Sequence, residues 1–216
     1  MDHCANSVAV FDKLADGYRE KFMDLTMYDD FYRQFCELLP RGPGRVLDAA
    51  CGPGNVSRYL LAKRPDLDLL GIDLAPRMVE LARIAVPGAR FAVHDCRKLA
   101  HLNQRFEGII CAFGLPYLSS EEAAAFVRVA SNMLEPEGML YLSAILGRSE
   151  DSGFERCSTG DQVYINYHSE GQVVSYLREC GFAVLKQWQL PSPSAAFKKT
   201  TDLIVISKKV VRSCGV

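Results

Sequence analysis

Residues 46–55 read VLDAACGPGN. A short apolar run ends in an acid, Asp48, and two glycines flank a proline at 52–54. The stretch NVSRYLLAKR (55–64) then has helical spacing, so the order is strand, bare turn, helix. That order aims backbone N–H groups and a helix N-terminus at a ligand, and Gly52 and Gly54 let the backbone come close to it. The dinucleotide fingerprint G-x-G-x-x-G is nearly met, with Ser57 in its third place. Asp48 argues against that reading: a carboxylate just before the turn would repel a pyrophosphate and suit a ligand that is cationic there. A plain tight turn between strand and helix is the other reading of a lone glycine loop.

Outward from this stretch, the pattern alternates. Val8, Phe11, Leu14, Ala15, Tyr18 and Phe22 predict a helix from Ser7 to about Met23, and Tyr28, Phe31, Tyr32, Phe35 and Leu39 a second over 28–39. PRGPG at 40–44 punctuates the chain. Strands then read at 45–50, 67–73, 89–95, 106–114 and 138–146, with helices at 55–64, 75–85 and 119–134 between them. Pro76 stands in a first helical turn, where its missing N–H costs nothing, and Ser119 and Glu122 have capping-box spacing. Apolar strands separated by helices imply a parallel sheet covered on both faces. The tail differs. Residues 147–161 read as a polar loop and 170–180 as a short helix, and strands at 182–190 and 202–210 have no helix between them, so they pair antiparallel.

Composition bounds the rest. The 216 residues suffice for one domain with a large core. The formal net charge of -1 provides no global pull toward nucleic acid or anionic membrane. Eight cysteines (4, 36, 51, 96, 111, 157, 180 and 214) form no CxxC and sit mostly in apolar runs. This usage fits a reducing cytosol without a disulfide framework, hence a cytoplasmic protein. Four scattered histidines predict no metal site. No apolar run is long enough for a stable membrane span, and the start MDHCANSVAV reads as no signal peptide.

S-adenosylmethionine (SAM) is cationic and free of phosphate. VLDAACGPGN resembles motif I of the class I SAM-dependent methyltransferases, D-x-G-x-G-x-G, with Ala50 where the family most often has its first glycine. LLGIDLAP (69–76) resembles the second motif, VHDCRKL (93–99) the third, and LEPEGMLYLS (134–143) the family's L-x-P-G-G, with Glu137 replacing its first glycine. The resemblance covers roughly residues 7–209, on the small-molecule branch of the family. It implies an α/β, Rossmann-like sheet of seven mostly parallel strands in the order 3-2-1-4-5-7-6, the last antiparallel, with helices on both faces and an N-terminal helical lid. The expected domain spans 1–216: a helical cover (1–40), a cofactor-binding half (44–146), and a substrate-side loop, helix and antiparallel pair (147–209).

The same resemblance implies a cofactor set of Tyr18, Asp48, Ala50, Cys51, Gly52, Gly54, Asp73, Leu74, Met78, Asp95, Cys96, Ala112 and Phe113. Asp73 would accept both ribose hydroxyls, although a helix cap is its local alternative. Asp95 would accept from the adenine amino group and the Cys96 N–H would meet a ring nitrogen, against a simple loop turn. Tyr18, in FDKLADGYREKF, is placed either beside the sulfonium, where an aromatic face attracts a cation, or in a helix core. Tyr117, Tyr164 and Tyr167 are substrate-pocket candidates, as is Phe113. The catalytic candidates are Tyr18 and His168; His168 titrates near neutrality, with surface or helix-capping placement as its alternative. The implied reaction is in-line methyl transfer to a small-molecule acceptor, releasing S-adenosylhomocysteine (SAH). A lipid or quinone acceptor, a non-catalytic SAM-binding protein and a nicotinamide-dependent reductase are the competing expectations. GLPY at 114–117 lacks the D/N-P-P-Y of the amino-methylating DNA enzymes, and no basic groove is evident, which speaks against a nucleic-acid substrate. Neither the oligomeric state nor the acceptor atom is legible.

Overall fold

The computed structural model describes residues 3–157, 159–194, 196 and 198–210. Cys214 lies outside the described residues, and the other seven cysteines are free thiols. The elements run α1 (His3–Lys13), α2 (Ala15–Phe22), α3 (Asp29–Leu38), β1 (Arg45–Ala49), α4 (Asn55–Lys63), β2 (Asp68–Asp73), α5 (Pro76–Ala85), β3 (Arg90–Val93), β4 (Phe106–Cys111), α6 (Ser120–Met133), β5 (Leu134–Leu146), β6 (Gly153–Arg156), β7 (Gln162–Ile165), α7 (Glu170–Glu179), β8 (Phe182–Pro191) and β9 (Thr201–Lys209).

Seven strands form one sheet in the order β3-β2-β1-β4-β5-β9-β8. The pairs from β3 to β5 are parallel, and β9 runs antiparallel to both β5 and β8. The expected seven-strand topology is therefore the observed one. Successive strand residues point to opposite faces, and both are dry. Leu47, Ile109, Leu140 and Leu203 pack with α6 and α7, while Val46, Ile110, Tyr141 and Ile204 pack with α3 and α4. No helix among the described residues is long and apolar enough to cross a membrane.

Local chemistry explains the helix ends. The Ser119 hydroxyl accepts from the Glu122 N–H (3.2 Å) and the Glu122 carboxylate accepts from the Ser119 N–H (2.9 Å); Ser169 and Gln172 repeat this box at α7. These caps satisfy N–H groups that the helix leaves open. Helix α5 has no cap of its own beyond Pro76. Asp12 of α1 supplies it from outside, accepting from the Arg77 N–H at 2.7 Å.

Three sequence expectations change. The helix expected over 7–23 is two, α1 and α2, broken at Leu14 (φ -99, ψ 9). Asp12 and Asp16, on either side of the break, both reach Arg77. The loop expected over 147–161 contains β6, which pairs antiparallel with β7 as a separate ribbon. Only alternate residues of β7 turn inward, Val163 and Ile165, too brief a signal to stand out in polar sequence. Strand β5 begins at Leu134 rather than 138, because Leu134 already pairs with Phe106.

Helix α3 rests directly on β4 at Gly108: a Cβ there would stand 2.5 Å from Leu39 Cδ2 and 3.0 Å from Phe35 Cζ. Gly108→Ala is expected to destabilise the fold by about 1–3 kcal/mol through overpacking, read as a lower urea midpoint with an unchanged slope.

Candidate functional site

Two adjoining cavities open at the C-terminal ends of the parallel strands, where ligands bind in open α/β sheets. The smaller, about 100 Å³, is built from the turns that succeed four strands: Ala50 and Gly52 after β1, Asp73 to Ala75 after β2, His94 to Cys96 after β3, and Ala112 to Gly114 after β4. Cys4, Ser7, Val8, Phe11 and Tyr18 of α1 and α2 roof it. The larger, about 420 Å³, lies under the same helices and reaches β7 and the start of β9. Phe11, Tyr18, Phe113 and Tyr117 line both.

Asp73 is one of two carboxylates on the wall of the smaller cavity, with Asp95. Oδ2 accepts from the Gly52 N–H and Oδ1 from the Ala75 N–H, each at 2.9 Å. Burial raises its pKa, and backbone N–H groups oppose the rise. The carboxylate thus ties the glycine turn to the turn after β2 and keeps a lone pair on each oxygen for a ligand. Asp95 is held by its neighbour: the Arg97 backbone N–H (2.9 Å) and guanidinium (2.8–3.1 Å) donate to it. Burial works to raise its pKa, but these hydrogen bonds and the adjacent positive charge prevail and hold it below the usual range.

Of the cofactor set expected from sequence, Tyr18, Ala50, Gly52, Asp73, Leu74, Met78, Asp95, Cys96, Ala112 and Phe113 come together on the smaller cavity. Asp48, Cys51 and Gly54 do not line it. Asp48 is fully buried, with the Ser57 hydroxyl donating to Oδ2 at 2.6 Å. The repulsion of a pyrophosphate expected from Asp48 therefore cannot be a wall contact; Asp73 and Asp95 are the acids on the lining. Ser57, which stood in the third place of the glycine fingerprint, is the group that satisfies Asp48. Cys51 turns into the core with Val79, Ala82 and Phe91. Gly54 (φ 89) starts α4 and lies against Ala82, 3.2 Å from where a Cβ would be.

Tyr117 and Tyr167 line the larger cavity. Tyr164 is elsewhere, stacked on His3 at 4.1 Å. His168 lines neither cavity. It is fully buried, and its Nε2–H donates to the Leu115 carbonyl at 3.1 Å; burial lowers its pKa. Its backbone N–H also donates to the Ile145 carbonyl, so it fastens the end of β5 to the turn bearing Tyr117. Tyr18 does lie at the site, half-buried against Phe11 and Phe22, and burial, with the charge of Asp73, pushes its hydroxyl up to about 12.

Sequence reading passed over Val8 and Phe11, whose helical spacing marked them only as an inner face. It also passed over Tyr28 and Asp202, both on the larger cavity. These two are 174 residues apart, and nothing local connects them.

Comparison with known proteins agrees with this arrangement. A family described as a methyltransferase domain matches residues 46–138. Demethylmenaquinone methyltransferase of Thermotoga maritima is 28% identical over 144 residues, 65% of this chain and 62% of that one. Trans-aconitate 2-methyltransferase of Methylobacterium nodulans is 38% identical over 79 residues, 35% and 31% of the two chains. The matches thus span less than two thirds of these relatives' own lengths. Among solved structures, a SAM-dependent methyltransferase from Methanosarcina mazei superposes with a TM-score of 0.69 at 19% identity, covering 82% of this chain and 96% of that one. Magnesium protoporphyrin IX methyltransferase from Synechocystis, with bound SAM, gives 0.70 at 16% identity over 97% and 98%.

Residues 46–138 match a methyltransferase domain, and the fold is that of solved SAM-dependent methyltransferases.

Both places where this chain departs from the glycines of the motifs it resembles keep the backbone a glycine would adopt: Ala50 has φ 62 and Glu137 φ 66. A left-handed angle costs an L-residue about 1–2 kcal/mol. Phe113, on the wall between the cavities, is also left-handed (φ 59), with its N–H fixed to the buried Ser143 hydroxyl at 2.7 Å. Strain of this kind collects at functional sites.

Asp48 makes the site's resting stability pH-dependent. Burial is the main cause that raises its pKa to about 7, against the Ser57 hydrogen bond, and Oδ1 has no partner. The folded protein therefore binds a proton that the unfolded chain releases near 4, and stability falls as pH rises from about 4 to about 7. Asp48→Asn is expected to flatten that decline in denaturant titrations across the window; an unchanged slope against pH would contradict it.

Proposed function

We propose that this chain transfers a methyl group from SAM to a small-molecule acceptor, with SAM in the smaller cavity and the acceptor in the larger. The observation that carries the reading is the shared wall: a carboxylate-bearing cavity at the strand ends meets a larger apolar cavity across Phe11, Tyr18, Phe113 and Tyr117. The residues fit the cofactor. Asp73 offers a fixed carboxylate to a vicinal diol, Leu74 and Met78 offer apolar surface to a flat base, and the turn at 50–54 leaves backbone open. Asp95 would take the adenine amino group by sharing an oxygen that Arg97 already uses, and the Cys96 N–H would meet a ring nitrogen.

When bound, SAM supplies a methyl group activated by its sulfonium. The protein's share is placement, which can lower a barrier by on the order of 7–11 kcal/mol. Asp73 anchors one end, the Tyr18 ring faces the charge, and α1 and α2 keep water out. That roof is fastened on two sides: Arg77 of α5 holds Asp12 and Asp16, and the ribbon is held by Lys13–Asp161 (2.8 Å) and Asn6 to the Gln162 carbonyl (3.1 Å). Demethylmenaquinone, trans-aconitate and magnesium protoporphyrin differ so widely that the acceptor must be read from this chain's own cavity.

SAM and SAH are expected to raise the melting temperature, and NAD(H) is not; stabilisation by NAD(H) alone would reverse the cofactor assignment. Asp73→Ala is expected to weaken SAH binding roughly ten-fold or more, from the loss of charged hydrogen-bond acceptors. Calorimetry showing equal affinity would remove Asp73 from the ribose. A metabolite extract incubated with SAM and followed by mass spectrometry is expected to show one compound gaining a methyl group, and a failure of any compound to do so would favour a non-catalytic SAM-binding protein.

A further inference from the structure

Asp202 stands at the start of β9, opposite Ile145 of β5 and Leu190 of β8. It is 1% exposed, yet it lines the larger cavity. The Tyr28 hydroxyl donates to Oδ2 at 2.6 Å, and Oδ1 has no hydrogen-bond partner among the described residues. No Lys, Arg or His pairs with it among them. Burial holds its pKa above that of an ordinary aspartate, while Tyr28 pulls the other way. The titratable groups facing it are Tyr28 and Tyr141, both kept neutral by burial. A buried carboxylate without a cation is costly unless a ligand satisfies it.

Its position is informative. The Tyr28 ring lies 5.0 Å from that of Phe113, and Phe113 is part of the wall between the cavities. The carboxylate is therefore on the side where a methyl group would arrive. The cavity also discriminates by charge. Lys13, Lys21, Arg156 and Lys198 line it, against Glu155 and Asp202. Lys198 is held by Glu155 at 2.9 Å and the Tyr167 hydroxyl at 2.8 Å, and Lys13 by Asp161. An ammonium has no electron pair free to attack a methyl group, and the cationic side chains on this lining outnumber the acids; a neutral hydroxyl keeps its electron pairs.

We propose that Asp202, oriented by Tyr28, accepts the proton of the methyl acceptor, and that the acceptor is a ring-sized, largely apolar molecule whose nucleophile is a neutral hydroxyl of the phenol or enol kind. The inference rests on the methyl-transfer reading above. The hydroxyl proton passes to Oδ1, and an oxygen electron pair forms the new O–C bond. The C–S bond of SAM breaks with its electron pair kept by sulfur, leaving neutral SAH. The proton on Asp202 then returns to water. Tyr28 is a positioning residue that keeps Oδ2 occupied and Oδ1 directed to the acceptor.

The test uses SAH-loaded protein and 4-nitrophenol, whose phenolate alone absorbs visible light. A carboxylate beside the bound probe keeps it protonated, so its ionisation midpoint in the wild type is expected to lie roughly one pH unit or more above that in Asp202→Asn. The amide retains the partner of Tyr28, and circular dichroism and SAH calorimetry check that fold and cofactor binding persist. Tyr28→Phe, which frees the second oxygen, is expected to move the midpoint further up and decides alone if Asp202→Asn does not fold. A midpoint that does not respond to either substitution, or a probe that does not bind the SAH-loaded wild type, overturns the proposal. Failure of SAH itself to bind the wild type would instead overturn the methyl-transfer reading.

Discussion

The Asp73 carboxylate links two turns that the Cys51 N–H to Ile72 carbonyl bond (2.9 Å) also holds side by side. By accepting from the Gly52 and Ala75 N–H groups, it fixes the distance between the glycine turn after β1 and the helix entrance after β2. Those two turns are the floor and one side of the smaller cavity. The bridge acts with the Cys51 N–H to Ile72 carbonyl and Gly54 N–H to Cys51 carbonyl bonds to hold the backbone at 50–54, left-handed at Ala50, Gly52 and Gly54, at a defined distance from the next strand. The same oxygens remain available to a ligand, so one group organises the site and presents it.

The helical cover completes the site through apolar contacts of Val8, Val10, Phe11 and Ala15 with α5 and β7, and through polar side chains. Asp12 caps α5, Asp16 pairs with Arg77, and Asn6 and Lys13 reach the ribbon. Most of these contacts are exposed, and exposed ion pairs contribute only about 0–1 kcal/mol each.

Buried polar groups mark the two functional regions from below. Asp48 with Ser57 lies under the glycine turn, and Asp202 with Tyr28 lies at the larger cavity. Each is a carboxylate relieved by one hydroxyl rather than by a cation, and in each burial raises the pKa. His168 is a third buried titratable group, but the Leu115 carbonyl engages its ring, so its part is to brace the Tyr117 turn.

The sheet, its strand order and the turns that border the smaller cavity were legible in sequence because they rest on local signals. Strand alternation, a glycine turn and acids at strand ends each operate within a few residues, and β1 through β5 share one repeated unit. Ser119 with Glu122 and Pro76 announced their helix ends for the same reason. The Asp48–Ser57 contact, the break at Leu14, the β6–β7 ribbon and the Tyr28–Asp202 pair left no such trace. The Tyr28–Asp202 pair forms only when α3 folds over the strand ends and β9 inserts between β5 and β8, and the other three are local in the chain but set by side-chain direction and packing that no sequence period records. Side-chain chemistry near one strand end was therefore decided by the sequence itself. Which acid faces the cavity and which lies beneath it was decided by the tertiary structure, because the direction of a carboxylate depends on the partner that packing delivers.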